Sequence, residues 1–212
     1  MVYPGFIIMG ILSSAVSITR YRVEGKIEGS ATEMVARGLK KNIIPDIDED
    51  AVEKAAGWTS FESPFQPQFE VSNFVFGNLF IFSLRVDRKS IPSKLLKKHL
   101  TLETSKRLAK TSRRFLAKDE KQALKDKVTA ELAVRVPSTP NVYDLLWDFE
   151  KSSVCFFSNL RSANEELETL FKRSFNLALI RLFPYTAADL QAELTDQERD
   201  ILLGLSPTHF SN

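Results

Sequence analysis

The sequence predicts an α+β protein in which helices pack on antiparallel sheet built from hairpins, with a protruding basic two-helix arm in the middle of the chain. Three observations predict this class. Alternating apolar segments are joined twice by short turn sequences, which is typical of antiparallel hairpins. The order of elements is strand, helices, hairpin, two long helices, hairpin, helix, strand and helix. Residues 92–136 carry leucines spaced among lysines, which indicates a pair of basic helices.

Length and composition show that the chain is a folded protein. A chain of 212 residues, 43% hydrophobic and 26% charged, can bury a sizeable core, so disorder is excluded as its main state. Residues 1–12 are predicted to be an N-terminal extension. Their apolar stretch is too short to span a bilayer and no Lys or Arg precedes it, so we expect neither a signal peptide nor contact with a membrane.

The first elements are predicted to be a strand and a helix. Residues 16–27 alternate β-branched and apolar residues, which favours a strand ending near Gly25 or Gly29. Ser30 and Glu33 then have the spacing of a capping box, which predicts that a helix begins here and ends near Asn42.

A second helix and a hairpin are predicted next. The acidic residues of segment 45–50 suit the first turn of a helix, which we expect to run through Ala55 to Gly57. Residues 69–86 form two aromatic runs divided by Gly77-Asn78, a dipeptide that closes hairpins.

Residues 92–136 are predicted to form the basic arm. Pro92-Ser93 opens one helix, and a second begins near Lys118 with apolar residues spaced strictly by four at Leu124, Val128 and Leu132. This arm is predicted to be an insertion into an α+β body made of residues 13–91 and 137–212.

The remainder of the body is predicted to contain a second hairpin, a helix, a strand and a last helix. The hairpin joins residues 142–149 to residues 154–157, and Ser162 is expected to cap the following helix. Residues 177–183 form a closing strand that Pro184 stops. Thr195 and Glu198 have capping-box spacing for the last helix. The sequence leaves open whether these strands form one sheet or two.

Charge is strongly segregated along the chain. The formal net charge is only +2, with 29 Lys and Arg against 27 Asp and Glu, yet residues 93–135 hold 13 cationic and 5 acidic residues. The arm therefore carries +8 and the remaining chain −6. Such a stripe can follow DNA phosphates. The residues expected to bind DNA are Lys94, Lys97, Lys98, Lys106, Arg107, Lys110, Arg113, Arg114, Lys118, Lys121 and Lys125.

Two readings of this charge remain open on composition alone. Lysine-rich helices interspersed with Asp and Glu are often only solvated surface, stabilised by local ion pairs with residues such as Asp119, Glu120 and Asp126. No zinc finger or base-reading motif is present, so contact with a nucleic acid is expected to be with the backbone and independent of sequence.

Chemistry-bearing residues are few, and no cofactor is expected. The lone Cys155 excludes an intramolecular disulfide and fits a reducing cytoplasm, and only His99 and His209 are available as histidines. The enzymatic alternative is a metal-dependent exonuclease. The acidic residues of its candidate Mg²⁺ site are Asp46, Asp48, Glu49 and Asp50. A third possibility is an interaction module whose basic arm recognises an acidic partner protein.

Several motifs occur in a characteristic order across residues 15–185. They are Gly57-Trp58, Phe76-Gly77-Asn78-Leu79, residues 91–97, the helical run 115–128 and Leu145-Leu146-Trp147. Together they resemble the recombination-associated protein RdgC family. The resemblance implies a cytoplasmic, nucleoid-associated protein that binds duplex DNA without sequence preference and without catalysis, and that restrains recombinase-driven strand exchange.

The resemblance also implies a homodimer, since members of the family pair and can encircle a duplex. Two differences concern the ring. Typical members continue into a further carboxy-terminal domain, whereas this chain ends at Asn212, and Arg135 is followed by Val136-Pro137 without the aromatic residue common in the family. The resemblance therefore implies a dimer without requiring a closed ring.

Overall fold

A computed structural model describes residues 10–27, 29–111, 113–192 and 194–206, and confirms the α+β class. Residues 1–9 of the predicted N-terminal extension lie outside this part of the chain. In order, the elements are β1 (Thr19–Glu24), α1 (Ala31–Lys41), β2 (Lys54–Thr59), a short 3-10 helix (Val71–Asn73), β3 (Val75–Phe76), β4 (Leu79–Arg88), α2 (Ser93–Thr111), α3 (Lys118–Ala133), β5 (Thr139–Asp148), β6 (Ser153–Phe156), α4 (Arg161–Phe175), β7 (Ala178–Leu182), α5 (Pro184–Gln191) and α6 (Asp196–Gly204).

The seven strands of the described residues form one sheet, which answers the question that the sequence left open. Its order is β2-β4-β5-β6-β1-β7, with β3 paired to β4, and all the neighbouring strands are antiparallel. The two predicted hairpins are joined through a ten-residue ladder between β4 and β5, from Leu79 opposite Asp148 to Arg88 opposite Thr139. The basic arm thus connects the end of β4 to the start of β5, where Arg88 and Thr139 are paired across the sheet.

The main core lies on one face of the sheet, between the strands and helices α1 and α4. Both tryptophans, Trp58 and Trp147, are fully buried there among aromatic rings. Trp147 lies 4.9 Å from the ring of Phe171, and Trp58 donates a hydrogen bond from Nε1 to Ser174 Oγ at 2.7 Å. Burial of such large rings is the dominant stabilising term of a sheet packed by helices.

Local turn and cap signals are confirmed where they stand at an element boundary. Ser30 Oγ accepts a hydrogen bond from the Glu33 amide at the start of α1. Thr195 and Glu198 form the predicted capping box of α6. Gly77 has a φ of +66°, the left-handed conformation that a tight hairpin turn requires and that glycine adopts without strain.

The predicted helix through Ala55 to Gly57 is wrong. Residues 46–53 are irregular, and Lys54–Thr59 is strand β2, paired along its length with β4. Gly57 shows why this segment is a strand and not a helix. A Cβ at this position would come within 2.4 Å of the Ile44 backbone, so only glycine permits the two segments to lie this close. The close approach of two backbones, marked by a bridge between Ile43 and Trp58, therefore overrides local helical preference.

Two further boundaries differ from the prediction. Helix α4 begins earlier than expected, with Leu160 at its N-cap position, so Ser162 lies in the first turn instead of capping it. The side chain of Ser158 accepts a hydrogen bond from the Leu160 amide. Helix α5 is absent from the prediction. Pro184, which ends the predicted strand, also occupies the first helical turn that proline favours.

None of the helices in the described part of the chain is long and apolar enough to cross a membrane.

A buried carboxyl group, Asp144, lies on the sheet face opposite the main core. Its exposed fraction is 2%, and its oxygens accept hydrogen bonds from Ser83 Oγ at 2.8 Å and from the Ile11 amide at 3.0 Å. Burial raises the pKa of Asp144 above its ordinary 3.8, while the two hydrogen bonds oppose that shift. The folded state therefore binds the proton more tightly than the unfolded state.

This pKa shift predicts how stability depends on pH. Because the folded pKa is raised, Asp144 disfavours the folded state increasingly as pH rises through the interval between 3.8 and the raised value. In the variant Asp144→Asn this ionisation is absent. We expect the free energy of unfolding of the variant, relative to that of the wild type, to increase with pH between about pH 3 and pH 7, measured by urea denaturation. A difference that stays flat would contradict the assignment.

Candidate nucleic-acid interface

The basic arm, residues 92–136, has its own small apolar cluster. Leu124, Val128 and Leu132 of α3 are buried, as their spacing predicts, and leucines of α2 pack against them. Leu116, just before α3, is buried in the same cluster with an exposed fraction of 6%. The cluster is separate from the main core, so the two helices are held together by each other's apolar side chains.

Every cationic residue predicted to bind DNA is solvent-exposed. Six belong to α2, two to the connecting segment and three to α3. The set is Lys94, Lys97, Lys98, Lys106, Arg107, Lys110, Arg113, Arg114, Lys118, Lys121 and Lys125.

Neighbouring carboxylates neutralise few of these charges. Lys106 pairs with Glu103 at 2.6 Å, and Arg113 lies 3.5 Å from Glu120. Among the described residues the other nine have no carboxylate partner within 4.0 Å. Asp126, which could have paired with a lysine, instead accepts a hydrogen bond from Gln122 at 2.8 Å. The local ion pairs weighed against DNA binding thus form at only two of the eleven positions.

On α3 the cations form one narrow stripe. At about 100° per residue, Lys118, Lys121 and Lys125 fall within about 60° of the helix circumference, next to the buried stripe. Asp119 and Asp126 lie on the side of the helix opposite the buried leucines. The side of α3 that carries Lys118, Lys121 and Lys125 therefore presents positive charge without intervening acids.

On α2 the cations form two groups instead of one line. Lys94, Lys97 and Lys98 share one side of the first turns, whereas Lys106, Arg107 and Lys110 lie about 180° away, near the other end of the helix. The eleven residues therefore lie on one helical pair and its connecting segment, but those of α2 are distributed over two sides of the helix.

Lys89, which the sequence does not mark as functional, links the end of α3 to the acidic segment. It is 8% exposed, and its ammonium group donates hydrogen bonds to the carbonyl oxygens of Asp48 at 2.9 Å, Asp50 at 2.7 Å and Ala133 at 2.7 Å. A cation beside the last carbonyls of α3 also complements the helix dipole. No local pattern could reveal this role, because the three carbonyl groups come from two distant segments.

The acidic segment proposed as a metal site is used differently. The Asp48 carboxylate accepts hydrogen bonds from Ser138 Oγ at 2.6 Å and from the Ser138 amide at 2.8 Å, and these bonds lower the pKa of Asp48. Asp46 accepts a hydrogen bond from the Asp48 amide at 2.9 Å. Within the described residues, no three His, Cys, Asp or Glu side chains are placed to hold a metal ion together.

Cys155 is half-buried in β6, and burial raises the pKa of its thiol. A raised thiol pKa reduces the fraction of the reactive thiolate near neutral pH. Its environment is thus unlike that of an activated cysteine nucleophile.

Comparison with protein families shows which family the chain matches. The model of the RdgC family, described as "Putative exonuclease, RdgC", matches residues 17–196 of the 212-residue chain. This range includes β1 through α5 and all of the basic arm. No curated protein matches the chain.

Proposed function

Since the chain belongs to the RdgC family, we propose that it binds DNA through the basic arm, without sequence preference, and thereby modulates recombinase-driven homologous recombination. The observation that carries this proposal is the exposure of the eleven arm cations predicted to bind DNA, nine of them without a carboxylate partner among the described residues. Cytoplasmic and nucleoid-associated location and a homodimeric state are part of the same proposal, and they rest on the family resemblance alone.

The free energy of binding would come mainly from the neutralisation of DNA phosphates by the cations of the arm. Each lysine or arginine that neutralises a phosphate releases condensed counterions, a gain that is the same for every base sequence. Lysine and arginine contacts to phosphate oxygens fix the position of a protein on the duplex but carry no sequence information. The described arm has no base-reading motif to add specificity, so we expect occupancy to depend on DNA length and salt.

The two cationic groups of α2 suit a helix lying along a groove. A helix with its side chains is about 10–12 Å across, close to the roughly 12 Å width of the major groove. In that position, Lys94 and Lys97 on one side and Lys106 and Lys110 on the other would face the phosphates of opposite strands. Duplex occupied in this way would be less accessible to a recombinase, which is how occupancy alone would restrain strand exchange.

The test is a comparison of unrelated duplexes of equal length. Fluorescence anisotropy at fixed salt should give dissociation constants that agree within about threefold, because backbone contacts are equivalent in all of them. A preference of about 100-fold for one sequence, or the absence of binding at about 50 mM salt, would contradict the proposal. Mass in solution, measured on the same samples, tests the dimer.

The description of the family model favours one second candidate, an exonuclease. We propose that the chain is not catalytic, since Asp48 is engaged by Ser138 and the described acidic residues do not converge on a common point. End-labelled DNA incubated with the protein and Mg²⁺ or Mn²⁺ should remain intact. Time-dependent shortening that disappears in Asp48→Ala would establish the nuclease instead.

Recognition of an acidic partner protein is the third possibility. It predicts that a basic arm with intact charge fails to bind DNA yet binds an acidic protein. The anisotropy experiment decides between them, since DNA binding by the purified chain is required only by the first proposal.

A further inference from the structure

Phe115 is the single Phe, Tyr or Trp residue in the sequence of the basic arm, residues 92–136, and its side chain is exposed. Its exposed fraction is 81%, and it lies in the short segment that joins α2 to α3. The next residue, Leu116, is 6% exposed and packs in the apolar cluster of the arm. Burial of Leu116 therefore anchors the segment while the ring of Phe115 remains in solvent.

Contacts with the first turn of α3 hold the C-terminal end of this segment. Glu120 Oε2 accepts a hydrogen bond from the Ala117 amide at 3.0 Å, and Glu120 Oε1 lies 3.5 Å from the Arg113 guanidinium. The Ala117 carbonyl accepts a hydrogen bond from the Lys121 amide at 3.0 Å. The burial of Leu116 and the hydrogen bonds of the Ala117 backbone thus order the chain that follows Phe115, which lowers the conformational entropy that binding would cost.

The charges beside Phe115 indicate which partner fits it. Arg113, Arg114 and Lys118 are all exposed and lie within three residues of the ring. A second copy docked symmetrically on this segment would bring two such clusters together, and like charges at an interface oppose association. A polyanion that also offers flat apolar surfaces satisfies both the cations and the ring. A nucleic acid has both properties, because its phosphates are anionic and its bases are flat rings.

We propose that Phe115 stacks on unpaired or locally unstacked bases of DNA while its neighbouring cations hold the adjacent phosphates. This inference rests on the proposed function and extends it, because it assigns the arm a preference for DNA with accessible base faces over a fully paired duplex. Aromatic stacking on bases does not depend on base identity, so this preference remains compatible with sequence-independent binding.

The size of the effect follows from measured stacking contributions. Loss of one base-stacking aromatic side chain typically weakens binding about 5- to 100-fold. We therefore expect Phe115→Ala to weaken binding to single-stranded DNA, or to a duplex with an unpaired bubble, by about that factor. Binding to a fully paired duplex should change less than about threefold, and the salt slope should remain the same, since no cation is removed.

The experiment uses the full chain with Phe115→Ala and Phe115→Trp variants, and Leu102→Ala as a matched control. Leu102 is an exposed apolar residue of α2, one helical turn from Lys98 and from Lys106, so this control removes apolar surface beside cations without removing an aromatic ring. Trp58 and Trp147 are fully buried, so the wild-type protein serves as the fluorescence blank for the added tryptophan. Quenching of Phe115→Trp by oligothymidylate, together with selective loss of binding in Phe115→Ala, would support stacking.

The other outcomes separate this inference from the proposal on which it rests. Equal affinity of wild type and Phe115→Ala for every DNA would overturn stacking and leave DNA binding by the arm intact. If Phe115→Ala instead lowers the mass in solution without changing DNA affinity, the ring contacts a second copy and the inference is wrong. If the wild type binds no DNA, both proposals fail together.

Discussion

Reversal of four charges in the basic arm is expected to abolish DNA binding by the otherwise folded protein. The variant Arg113→Glu, Arg114→Glu, Lys118→Glu, Lys121→Glu takes the net charge of residues 93–135 from +8 to zero. If each of the four contacts a phosphate, the lost counterion release weakens binding about 10³-fold at about 0.1 M salt. Repulsion between the new glutamates and phosphate adds to that loss.

A matched control separates the arm from the charge of the whole chain. Lys26, Arg37, Lys41 and Lys172 are exposed, lie in the body, and form no ion pair in the described structure. Reversal of these four changes the net charge by the same amount. We expect duplex affinity to fall less than about tenfold in this control. Equal losses in the two variants would show that the arm is not the interface.

The second large effect is expected from the apolar cluster of the arm. In Leu124→Ala with Leu132→Ala, two buried leucines of α3 are truncated and no charge changes. Each truncation costs about 2–5 kcal/mol in a packed core, and this cluster is small, so the helical pair should unfold. DNA affinity should then fall about tenfold or more, although every cation is still present in the chain.

Circular dichroism and tryptophan fluorescence measure the two parts of the chain separately. Helices α2 and α3 hold close to half of the helical residues described, so helical ellipticity should fall by a comparable share. The emission of the buried Trp58 and Trp147 should stay unchanged, because both belong to the main core. The exposed pair Leu102→Ala, Val134→Ala serves as the control. Unchanged DNA affinity with melted helices would mean that the cations act without a scaffold.

Much of the fold was predictable because its signals are local. The glycine turn at Gly77, the capping residues Ser30 and Thr195, and the spacing of Leu124, Val128 and Leu132 each act within a few residues, and all of them are confirmed. Strand β2 was not predictable in this way. Its Ala-Ala-Gly sequence has no strand preference, and it becomes a strand because it pairs with β4 and passes close to Ile44.

The candidate site was predictable only in part, because some of its features depend on contacts between residues distant in sequence. Residue types and spacing place the cations on helices, and the structure shows their side chains in solvent. Whether an acid neutralises a given cation depends on side-chain geometry. Glu120 of α3, for example, pairs with Arg113 of the segment that precedes the helix. The role of Lys89 requires the meeting of segments more than 40 residues apart, which no spacing rule contains.

The central claim is that phosphates of DNA are neutralised by the exposed cations of the arm, and the salt dependence of duplex affinity measures this most directly. If roughly five phosphates are neutralised, the logarithm of the binding constant should fall with the logarithm of salt concentration at a slope of about −4.5. The four-charge reversal in the arm should remove most of that slope. A slope near zero for the wild type, or an unchanged slope after the reversal, would contradict the claim.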